Sequence, residues 1–74
     1  MDQLMRRLGL RESEGPVRRG DVVQFRVGAC QFHFGIAAGD GTVVHAHAGL
    51  RRVIRGEAPA DWQLCRKWRL ADPA

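Results

Sequence analysis

The strongest constraint on this chain is an alternation of period two in residues 31–38. Phe32, Phe34, Ile36 and Ala38 fall on one side of an extended backbone; Gln31, His33, Gly35 and Ala37 fall on the other. Residues 21–27 show the same rhythm, with Val23, Phe25 and Val27 on one face and Gln24 and Arg26 on the other. Gly39-Asp40-Gly41 then supplies a turn, and residues 42–47 form a returning strand. A half-buried antiparallel sheet is the architecture this pattern specifies.

Turn length decides where the histidines lie, because a slip of one residue sends every side chain to the opposite face. A two-residue Asp40-Gly41 loop would pair Phe34 with His47 and Ile36 with His45, burying polar rings in the core. A three-residue loop, with Gly41 in the left-handed region and a bulge, pairs Phe34 with Ala46, Ile36 with Val44 and Ala38 with Thr42. It also sets His47 opposite His33 and His45 opposite Gly35. His45 is then diagonal to His33, roughly 7–8 Å away along the backbone and within side-chain reach. The three-residue loop is the expected one. The aromatic face of residues 32–38 is expected in the core, and the small Gly35 and Ala37 are expected to leave open space beside His33.

The rest of the chain frames this hairpin. Residues 1–10 place Met1, Leu4, Met5 and Leu8 on one helical stripe that Gly9 can end. Residues 11–20 read as a polar connector, 50–55 as a weaker strand and 56–61 as a loop. Residues 62–70 close the sheet, which spans 21–70. The expected class is α+β, one short N-terminal helix followed by a small antiparallel sheet in a single partial domain. A chain of 74 residues buries only about 60% of its unfolded surface, so the core is thin and an uncovered face favours a homo-oligomer. No apolar run reaches the ~20 residues of a membrane span, and no secretory signal is visible.

Eleven of the twelve basic residues are Arg, and the net charge is +4. Pairs such as Arg51-Arg52 suit anionic partners, yet their scatter reads as solvated surface, and nucleic acid is not an expected partner. Three histidines on one strand face offer proton transfer near neutrality, although an exposed polar face without chemistry has the same pattern. His45 and His47 sit about 7 Å apart along the strand, wide for sharing one ion with His33, so no metal or other cofactor is expected. Cys30 is a candidate nucleophile beside His33, but an offset of three residues directs the two side chains to opposite faces unless the chain bends at Gly28-Ala29. Cys65 reads as a small buried hydrophobe.

Gly20-Asp21-Val22-Val23-Gln24-Phe25, His33-Phe34-Gly35-Ile36 and Val43-Val44-His45-Ala46, in that order, resemble the NlpC/p-sixty cell-wall peptidases. Ala48-Gly49-Leu50-Arg51-Arg52-Val53 and Trp68-Arg69-Leu70 resemble the phage-derived branch, and the likeness covers residues 4–70. The resemblance implies the β half of a papain-like fold and a thiol peptidase that hydrolyses the peptide stems of peptidoglycan. It implies His33 as general base and His45 as the residue orienting it, with His47 and Cys30 as possible additions and Arg51 and Arg52 toward substrate. The family's nucleophilic Cys lies upstream of the sheet, usually in an Asp-Cys-Ser-Gly segment, and no Cys precedes Cys30. The expectation is a His-bearing half, either a truncated reading frame or one partner of a split enzyme, that is inactive alone and whose partners are peptidoglycan peptide stems or a Cys-bearing half. The alternative is a non-catalytic cell-wall or protein-interaction module using Arg51, Arg52 or Arg55. Location is expected to be cytoplasmic until lysis, or virion-associated.

Overall fold

The computed structural model describes residues 2–47 and 49–70, with only the backbone of Asp2. Met1 of the expected helical stripe and Ala48 of the resemblance lie outside them. Helix α1 (Asp2–Arg7) is followed by strands β1 (Leu10–Glu12), β2 (Val22–Gly28), β3 (Gln31–Ala37), β4 (Val43–His47), β5 (Arg52–Gly56) and β6 (Gln63–Leu70). They form one six-stranded antiparallel sheet in the order β1-β6-β2-β3-β4-β5. The class is α+β and mostly sheet. No helix among the described residues is long and apolar enough to cross a membrane.

The helix is shorter than its periodicity suggests. Gly9 adopts φ +80°, and its N–H bonds to Arg6 O, which ends the helix and frees Leu10 to start a strand. Of the expected stripe Met5 is buried, whereas Leu4 and Leu8 are exposed. Residues 10–12, which fall partly in the expected connector, pair with the end of β6 from Leu10–Leu70 to Glu12–Trp68. Consequently β6 is an interior strand flanked by β1 and β2, and Trp68 is 1% exposed.

The hairpin register follows the three-residue loop. Ile36 pairs with Val44, Ala38 N–H donates to Thr42 O at 2.9 Å, and Gly41 adopts φ +83°. Gly39 is also left-handed at φ +92°, and a Cβ there would meet Arg19 Cβ at 2.8 Å.

The buried side of β3 is the reverse of the expected one. One cluster joins Val23, Phe25, Ala37 and Val43, with Val27, Ala58 and Trp62 against it, on the face that carries His33 and His45. The other face buries only Met5, Leu10 and Trp68 beside Val22, where α1 lies across one end. Phe32 and Ile36 remain 54% and 50% exposed. The reason is volume: Phe25 and Trp62 already fill the first face, so β3 buries only the small Gly35 and Ala37 there, with His33 half-buried beside Trp62.

Candidate active site around an imidazole pair

The site begins with a close approach of two strands. Gly35 lies beside His45, and a Cβ at Gly35 would stand 3.1 Å from Val44 O and 3.4 Å from His45 Cβ. Without that Cβ, His45 folds across β3 and its Nδ1 comes to 2.9 Å from Nε2 of His33. The expected open space beside His33 is therefore taken by His45. The rings meet edge to face, with centroids 5.0 Å apart.

The hydrogen bond admits two tautomer sets. If His33 Nε2–H donates, His45 Nδ1 accepts and Nδ1 of His33 keeps a lone pair. If His45 Nδ1–H donates, the proton of His33 sits on its Nδ1. In either set Nδ1 of His33 has no hydrogen-bond partner among the described residues.

Trp62 completes the site and was not singled out in the sequence. It stands on the segment between β5 and β6, held by its N–H to Pro59 O at 3.0 Å. Its ring centroid lies 4.9 Å from His33, 5.4 Å from His45 and 5.6 Å from Phe25. Under it His45 is 6% exposed, which is unusual for an imidazole, and the bond to His33 satisfies the ring nitrogen it buries. Only an aromatic following the Pro59–Asp61 turn could have signalled this contact. A hollow of about 230 Å³ adjoins the pair, lined by His33, His45, Ala46, His47, Gly49 and Trp62.

The remaining candidates stand further out. His47 is exposed; its Nδ1 accepts from Leu50 N–H at 3.2 Å, and its ring is 6.5 Å from His45. Arg52 is opposite His47 in the ladder, and Arg51 sits in the β4–β5 turn with φ 54°. Arg55 is held by Asp40 and Thr42, at 2.6 Å and 3.1 Å.

Cys30 lies exposed in the Ala29-Cys30 turn and makes no hydrogen bond to His33. Cys65 is not buried. Gln24 pairs with Arg66 and Phe25 with Leu64, so Cys65 is the extra residue of a bulge and is exposed. Both thiols are free. Among the described residues no three His, Cys, Asp or Glu side chains converge as metal ligands.

Two carboxylates brace the frame around the site. Asp21 is buried and takes Arg69 Nε at 2.8 Å, Arg69 Nη2 at 2.9 Å and Arg18 N–H at 2.9 Å. The Arg69 bonds hold its carboxyl below the usual range, although burial opposes them. Asp40 accepts from Thr42 Oγ1 and Thr42 N–H and from Arg55. The Thr42 bonds foremost, then Arg55, lower its pKa to about 2. Comparison with family models, with curated proteins and with solved structures gives no match.

Proposed function

We propose that this chain is the His-bearing half of a peptidoglycan-hydrolysing thiol peptidase of NlpC type, the nucleophile coming from a Cys-bearing partner half. The observation that carries the reading is the 2.9 Å bond between His33 Nε2 and His45 Nδ1. It fixes one ring by the other and leaves His33 Nδ1 without a hydrogen-bond partner among the described residues, as a general base requires.

In this reading His33 Nε2–H donates to His45. His33 Nδ1 takes the thiol proton, and the thiolate adds to the carbonyl carbon of the stem peptide. The C–N bond breaks as His33 returns the proton to the leaving amine. Water then attacks the thioester carbonyl with His33 as base again, and the C–S bond breaks as His33 returns that proton to the sulfur, freeing the acid product and the thiol. Trp62 limits water at the far side of the rings, while Arg51 and Arg52 face the stem carboxylates. Cys30 makes no hydrogen bond to His33 and Cys65 Sγ bonds to Gln63 O, so this reading takes its thiol from the partner half.

A second reading, a non-catalytic module that binds wall peptides, is favoured by Trp62, whose ring lies against both imidazoles. A defined muropeptide separates the two. The folded chain alone, in reducing buffer with chelator, should leave it intact while shifting the NMR signals of His33, His45 and Trp62. A Cys-bearing half added in trans should then restore cleavage, dependent on His33; binding without any such cleavage favours the module. Cleavage by the chain alone that disappears in Cys30→Ala would overturn the missing-nucleophile reading, and absence of binding would overturn both.

A further inference from the structure

The second sheet face carries an apolar surface that the chain does not cover. Phe32, Phe34 and Ile36 project from β3, Val44 is opposite Ile36, and Val53 is opposite Ala46 across β4 and β5. Register alone makes these side chains neighbours. Val53 is 66% exposed, more than either Phe32 or Ile36. With side-chain areas of roughly 150–200 Å², they present about 400 Å² of contiguous apolar surface. That matches the apolar centre of an interface of ~800 Å² per partner, with the surrounding polar residues as its rim.

We infer that this face is the interface of a symmetric dimer with a second copy of the chain. The charges on its border point to a like partner. Arg66 bonds to Glu12 at 2.7 Å, Arg55 to Asp40, and Arg26 to the carbonyls of Gly28 and Ala29 at 3.3 and 3.1 Å. Arg66 and Arg55 are neutralised by carboxylates of their own chain and Arg26 is held on backbone carbonyls, so these three ask for no complementary charge from a partner. An isologous contact brings identical borders together, and the internal pairs hold down their mutual repulsion. Two copies face to face form a two-layer sandwich, the arrangement a sheet with an apolar face requires. The imidazole pair lies on the opposite face and stays open, so the inference does not depend on the proposed chemistry.

Sedimentation velocity of the full chain over about 1 to 100 µM tests this. The expected mass is twice 8.3 kDa at the upper concentrations. Phe32→Glu should weaken association by roughly tenfold or more, because it buries an unpaired carboxylate. Val53→Glu, on a different strand, should do the same and serves if the first variant fails to fold. Leu64→Glu, on the imidazole face opposite Phe25, should leave the dimer unchanged. A wild-type chain that is monomeric throughout overturns the inference. So does a dimer that dissociates only with Leu64→Glu, or one unaffected by both face variants.

Discussion

Among single residues, Gly35 decides whether the imidazole pair exists. Its absent Cβ would contact the carbonyl of Val44, an atom fixed by the sheet, and the Cβ of His45, which must stay close for its ring to reach His33. Gly35→Ala should therefore cost about 1–3 kcal/mol of strain and also part the two rings. In the wild type the imidazole N–H shared by His33 and His45 should exchange slowly with water, since it is hydrogen-bonded beside Trp62. In Gly35→Ala that proton resonance should be lost while the sheet amides persist. An alanine variant as stable as the parent, with the shared proton retained, would remove Gly35 from the account of the site.

Asp21 acts on a whole element. It closes the turn after residue 18 through Arg18 N–H and ties the start of β2 to the end of β6 through Arg69. Asp21→Asn should lower stability by about 2–3 kcal/mol at neutral pH, short of the ~3–5 for a fully buried pair because Arg69 is one-third exposed. The sign with pH follows from the lowered carboxyl. Its contribution is complete above the ordinary value of 3.8 and fades as pH falls through the lower folded value. Urea unfolding of parent and variant should therefore converge in acid; a gap that stays constant down to pH 2 would contradict the pairing. The strands were legible in the sequence because their alternation is strong, and turn chemistry at Gly39-Asp40-Gly41 was enough to give the register. From that register the approach of His33 and His45 follows. Which face of β3 is buried was not legible. That depends on Trp62 and Phe25 occupying one side, and no local pattern reports how much volume distant residues bring. Strand β1 escaped for a similar reason, since three residues show no periodicity and Leu10–Glu12 is extended only because β6 offers it an edge.

For the molecule as a whole, the asymmetry between its two sheet faces governs stability. One face holds a small core closed by Trp62; the other leaves Phe32, Phe34, Ile36 and Val53 to solvent beyond a six-residue helix. If a second copy covers that face, folding and association become one equilibrium, and the melting temperature must depend on concentration. Each tenfold rise adds about 1.4 kcal/mol per dimer, or about 0.7 per chain. In a domain of this size about 1 kcal/mol moves the midpoint by 4–8 °C, so the expected rise is about 3–6 °C per decade. Calorimetry across two decades reads it directly, and Phe32→Glu should flatten the dependence as it lowers the midpoint. A midpoint independent of concentration in the wild type would mean that this thin sheet is held by its own two small clusters alone, with Phe32 and Ile36 in water.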